Sequence, residues 1–107
     1  MIKDPAIITK TLANYYGIST LALYSPTRSQ QIVKVRHLAI YICRILLGLS
    51  YPSLSVIFKR DRSSLIHAIR RIKEDLEMVA TANMFITEFK KLERAPALIQ
   101  ESILKST

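Results

Sequence analysis

Apolar residues return every three or four positions from Leu65 through Ala68, Ile69, Ile72 and Leu76 to Val79, a spacing that sets all of them on one face of a helix. Around this stripe the only glycines are Gly17 and Gly48, and no stretch alternates apolar and polar residues between turn signals. Helices are therefore expected throughout. A first helix is predicted from Pro5 to Tyr16, with Asp4 as its cap and Pro5 as a favourable first residue; Ile8, Leu12 and Tyr15 or Tyr16 share its inner face, and Gly17 stops it. A short helical turn is expected at Ser19 to Leu23, after which Ser25, Pro26 and Thr27 break the pattern and leave Arg28 on a loop.

From Gln30 to Leu47 the apolar face is wide, with Ile32, Val35, Ala39, Ile42, Leu46 and Leu49 on one stripe and Leu38 and Ile45 beside it. Such width implies burial against several partners, which makes this the central helix and leaves Lys34, Arg36, His37 and Arg44 for its narrower polar side. Gly48 ends it, and Ser50 and Pro52 mark a turn. A short helix follows from Ser53 to Lys59, then a connection of Lys59, Arg60 and Asp61, then the helix of the opening stripe from about Arg62 to Ala80. Two further amphipathic helices are expected at Met84 to Leu92 and Ala97 to Leu104, separated by Pro96. The expected architecture is all-α: a compact multi-helix domain over residues 1–95 and a C-terminal helical tail over 96–107, the tail packing weakly or serving a protein partner.

At 107 residues, half of them apolar, the chain fits one domain with one modest core. The lone cysteine, Cys43, excludes an internal disulfide framework, and the first residues lack a secretory signal pattern, so a reducing cytoplasm is expected. The longest uncharged run, Ile45 to Phe58, is 14 residues and contains Pro52, too short for a membrane span, which points to a soluble chain. Charge is unevenly distributed: Pro5 to Lys73 holds eleven basic residues and one acid, Asp61, whereas Glu74 to Thr107 holds six acids and four bases. A cationic part of a small domain attracts phosphate backbones and anionic surfaces alike.

Two short consecutive helices joined by a tight turn are the plan of a helix-turn-helix, whose second helix enters the major groove and touches bases with its first residues. Here that helix begins Arg62, Ser63, Ser64, and its outer face continues through Ile66, His67, Arg70 and Arg71. Groups able to meet base edges thus come first, and cations able to meet phosphates follow one and two turns later. Asp61 fits two roles, as the cap of this helix or as an acceptor for a cytosine amino group.

The stretch Arg60-Asp61-Arg62-Ser63-Ser64-Leu65-Ile66-His67-Ala68 resembles the signature of the C-terminal DNA-binding domain (domain IV) of the bacterial replication initiator DnaA, typically RDHTTVxHA. The resemblance runs from about Ile7 to Ile72 and includes the paired tyrosines, the loop at Ser25 to Ser29 and the central helix with Arg36. It implies a Trp-repressor-like helix-turn-helix domain that binds double-stranded DNA at DnaA-box-like sites. It implies that Asp61, Arg62 and Ser63 read bases in the major groove, that Arg28 inserts into the minor groove, and that Arg36, His37, Pro52, Ser64, His67 and Arg71 contact phosphates.

This sequence also departs from the family pattern. Arg62 stands where histidine is usual, Ser63 and Ser64 replace two threonines, Phe58-Lys59-Arg60 is one residue shorter than FGGR, and Gln30 and His37 replace a typical arginine and glutamine. Arginine can grip guanine through two hydrogen bonds and serine lacks the methyl that touches thymine, so the site recognised is expected to shift. No GxxxxGK[ST] phosphate loop is present. The expectation is a nucleoid-associated regulator or competitor in replication initiation or transcription, without ATPase activity.

Other readings of the same residues are weaker. Ser63, Ser64 and His67 lie on one helix with no acid or oxyanion arrangement, so no enzyme is expected. His37 and Cys43 lack further metal ligands, and no metal, cofactor, small-molecule substrate or membrane partner is expected. Arg44 is expected to cap or pair within the protein, and Lys90, Lys91 and Arg94 to form a solvated surface among acids. The competing function is a helical adaptor that binds another protein, with the basic face serving RNA or non-specific nucleic acid.

Overall fold

The computed structural model describes residues 4–94, which form six helices and no strand: α1 (Pro5–Tyr16), α2 (Thr20–Tyr24), α3 (Gln30–Leu47), α4 (Tyr51–Phe58), α5 (Arg62–Lys73) and α6 (Leu76–Arg94). The starts are set by side chains that accept backbone N–H groups a helix cannot satisfy itself. Asp4 accepts from Ala6, Ser50 from Ser53, and Asp61 from Ser64, at 2.9, 3.3 and 2.8 Å. Both α1 and α3 end at a left-handed residue, Gly17 at φ 66° and Gly48 at φ 64°, where glycine carries no Cβ penalty.

α3 is the axis of the molecule, packing against each of the other five helices. Its Leu38, Ala39, Ile42 and Cys43 are fully buried, together with Ile8 and Leu12 of α1, Leu23 of α2, Leu54 and Phe58 of α4, Leu65 of α5 and Phe89 of α6. Each of the leucine, isoleucine and phenylalanine side chains among them contributes about 1.5–3 kcal/mol by leaving water. Burial pushes the Cys43 thiol up to about 12, so this cysteine is an inert core residue.

Three expectations are corrected. The helix expected from Arg62 to Ala80 is two helices: α5 ends at Lys73, and Asp75 Oδ1 accepts the N–H groups of Glu77 and Met78 at 3.0 and 3.2 Å, starting α6. Leu76 falls at this break and is 85% exposed, not part of the core. α6 then absorbs the separate helix expected from Met84 to Leu92, with Ala82, Phe85, Ile86 and Phe89 on its buried face. Finally, α4 starts before Pro52, which sits in the first helical turn where its missing N–H costs nothing, rather than in the preceding turn. The expected helix from Ala97 to Leu104, and the whole 96–107 tail, lie outside the described residues. No helix among those described is long and apolar enough to cross a membrane.

Candidate nucleic-acid interface

α4 and α5 form the two limbs of a helix-turn-helix. Leu54 and Phe58 on one side and Leu65 and Ala68 on the other fill the angle between them. The turn is Lys59, Arg60, Asp61, and its tightness shows at Lys59, whose φ of 54° makes it the one non-glycine residue in the left-handed region among those described. The shortened turn therefore bends at a residue that bears a side chain. The hydroxyl of Ser55 donates to the Arg60 carbonyl, and the Arg60 N–H donates to the Ser55 carbonyl at 3.3 Å, closing the turn back onto α4.

Asp61 then sets the start of α5. Its carboxylate accepts the Ser64 N–H, and that bond holds the acid below the usual carboxylate range. With the cap in place, Arg62, Ser63 and Ser64 are all exposed, and so are His67, Arg70 and Arg71 further along. The Arg62 guanidinium lies 5.2 Å from the centre of the Tyr51 ring. No protein hydrogen bond claims its N–H groups among the described residues.

Arg36 occupies a different position from the one expected. It is 5% exposed, and its guanidinium faces inward to the preceding loop: Nε donates to Leu23 O at 2.8 Å, and Nη2 to Ser25 O and Thr27 O at 2.8 and 3.2 Å, with Ala22 O at 3.4 Å. The Ala22 carbonyl also accepts from the Ser25 N–H and hydroxyl, while the guanidinium's several donors serve the Leu23, Ser25 and Thr27 carbonyls at the end of the short α2. Arg60 reaches the same Ser25 carbonyl with its Nη2 at 2.7 Å, across 35 positions of sequence. Arg36 thus fastens the Arg28 loop to α3, and Arg60 fastens it to the helix-turn-helix. Burial, then the Arg60 charge, lower the Arg36 pKa. Spacing does not reveal Arg60 as a strut, because its partner is a backbone carbonyl far along the chain.

Arg36, His37, Arg60, Ser63, Ser64 and His67 line a cavity of about 350 Å³ at the start of α5. A second hollow of about 290 Å³ is lined by Arg28, Lys34, His37, Arg71 and Asp75, among others. His37 belongs to both and joins them, with Arg60 on the first hollow and Arg28, Lys34 and Arg71 around the second, beside Asp75. The His37 and His67 rings meet edge to face at 6.0 Å. Burial, then His67, then Arg36, Arg71 and Arg60 push the His37 pKa down to about 4, so its ring is neutral at pH 7. Asp61, Arg62 and Pro52 line neither hollow; Asp61 precedes Arg62 at the start of α5, the Arg62 guanidinium lies over Tyr51, and Pro52 is exposed next to Tyr51. Arg44 turns inward as expected, donating to Leu49 O at 2.6 Å with its guanidinium 4.8 Å from the Tyr51 ring. Among the described residues no group of acids, histidines and cysteines is arranged to hold a metal ion.

The arrangement presents polar groups at a helix start and cations on its flanks, a geometry suited to a polyanion with readable edges. Comparison with known proteins agrees. Residues 5–72 match the model of the bacterial dnaA protein helix-turn-helix. The chain is 37% identical over 73 residues to chromosomal replication initiator protein DnaA 1 of Chlamydia trachomatis serovar D, a match covering 68% of this chain and 16% of that protein. It is 36% identical over 73 residues to the DnaA of Corynebacterium jeikeium, covering 67% and 12%, and 38% identical over 71 residues to that of Tropheryma whipplei (strain Twist), covering 66% and 15%. The matched part is therefore less than a fifth of each relative's length. The chain belongs to the bacterial DnaA C-terminal helix-turn-helix family, a DNA-binding domain of replication initiators.

Proposed function

We propose that this chain binds double-stranded DNA at DnaA-box-like sites, with α5 in the major groove and the Arg28 loop in the adjacent minor groove, and that it regulates or competes in replication initiation or transcription by occupying those sites without catalysis. The observation that carries the reading is the exposed start of α5, where Arg62 and Ser63 face solvent, with Arg28, Lys34 and Arg71 gathered around the second hollow. In this reading Arg62 donates two hydrogen bonds to a guanine, Ser63 meets the neighbouring base, and the Asp61 oxygen turned away from its cap accepts from a cytosine. Ser64, His67, His37, Arg71 and Pro52 meet the phosphates. Arg36 ties the loop to α3 and lines the hollow at the start of α5, from which it meets a phosphate.

Selection of bound duplexes from a random pool tests this. A consensus related to the DnaA box, altered near the position of Arg62, is the expected result. A pool that stays random through repeated rounds, with retention that depends only on salt, would overturn site-specific binding.

A further inference from the structure

We infer that Tyr51 is the positioning residue that holds the Arg62 guanidinium ready for a guanine, an inference that rests on the base-reading role proposed for Arg62. Tyr51 and Arg62 are the first residues of α4 and α5, so the turn between the helices is what brings them together. The Arg62 guanidinium carbon lies 5.2 Å from the Tyr51 ring centre, within reach of a cation–π contact.

Tyr51 is itself held. It is half-buried, packs against the core, and has the Arg44 guanidinium 4.8 Å from its ring centre, with Arg44 tied back to Leu49 O at 2.6 Å. The ring is thus a fixed platform rather than a second mobile side chain. An exposed arginine otherwise samples many rotamers, and freezing it against DNA costs binding free energy. Contact with an aromatic ring restricts that freedom before DNA arrives and consumes none of the guanidinium's N–H donors, which remain for guanine O6 and N7. Tyr51 therefore sets base preference at one position while contributing nothing to the sequence-independent attraction of the cations.

The test measures affinity for the selected duplex, for a duplex changed at the Arg62 base pair and for a scrambled duplex. The proteins are the full chain, Tyr51→Leu, Tyr51→Phe, Arg62→Ala and the double variant Tyr51→Leu/Arg62→Ala. Losing the platform is expected to lower preference at that base pair about 2- to 5-fold, the range a surface cation–π contact supports. Scrambled-duplex affinity and the salt slope stay unchanged, Tyr51→Phe keeps the preference, and Tyr51→Leu adds no loss of preference when Arg62 is already alanine.

Equal losses on all duplexes, or an undiminished effect of Tyr51→Leu without Arg62, would overturn the inference and mark Tyr51 as merely structural. If Tyr51→Leu fails to fold, Tyr51→Trp is read in its place: a broader π face should keep or raise the preference, and its loss would overturn the platform. An Arg62→Ala chain with unchanged base preference would overturn the base-reading role itself. A loss with Arg62→Ala but none with Tyr51→Leu would remove only the role of Tyr51.

Discussion

Lys59 and His37 are the residues where the physical chemistry of this domain is most exposed to test. Lys59 closes the helix-turn-helix at φ 54°, a conformation that costs a side-chain-bearing residue about 1–2 kcal/mol and costs glycine less. Lys59→Gly is therefore expected to raise stability by about 0.5 kcal/mol in denaturant unfolding, after allowing for the greater freedom of glycine in the unfolded chain. An imidazole with a folded pKa near 4, below its ordinary 6.5, takes its proton more readily in the unfolded chain. Its neutral burial leaves stability undiminished above about pH 6.5 and erodes it as the pH falls toward 4. Melting temperature should decline over that window, by the equivalent of about 1–2 kcal/mol once screening of a half-exposed ring is allowed for, and His37→Gln should flatten the decline. Neither effect is legible in the sequence. Lysine signals no left-handed turn, and the pKa of His37 depends on four neighbours, three of them from α5 and the turn before it.

At the scale of elements, α1, α2 and α3 are legible almost to the residue, because Asp4-Pro5, Gly17 and Gly48 mark their ends and their apolar spacing is regular. The break between α5 and α6 is not, because the apolar stripe passes through Leu76 without interruption while Asp75 starts a new helix through its backbone bonds. Periodicity reports which residues share a face and is silent on where the axis turns. Asp75→Ala should accordingly cost about 1 kcal/mol, the usual worth of an N-cap, measurable by chemical denaturation. The interface splits the same way. The exposure of Arg62, Ser63 and His67 follows from the α5 stripe, but the inward turn of Arg36 does not, since helical spacing alone sets it beside His37 on the polar side. Its hydrogen bonds to α2 and loop carbonyls predict that Arg36→Ala destabilises the fold by about 2–3 kcal/mol, by removing the guanidinium donor from the Leu23 and Thr27 carbonyls while Ser25 keeps Arg60. Hydrogen exchange should then rise across residues 22–28. A variant that keeps wild-type stability and protection there would show that the loop stands without it.

Among the described residues one central helix packs against five others, and cations of three separate segments, Arg28 of the loop, Lys34 of α3 and Arg71 of α5, line one hollow. Arg36 of α3 and Arg60 of the turn both donate to the Ser25 carbonyl, which ties the loop to α3 and to the helix-turn-helix at one point. In the proposed function the start of α5 distinguishes sequences and its later turns hold any duplex. Binding of Arg62→Ala and Arg71→Ala to the selected and scrambled duplexes across a salt titration tests this most directly. Arg62→Ala should weaken the selected duplex by about 1–3 kcal/mol and leave the scrambled one nearly unchanged, whereas Arg71→Ala should weaken both alike and reduce the salt slope by about 1. The same loss on both duplexes from Arg62→Ala would contradict the claim that the start of α5 reads bases.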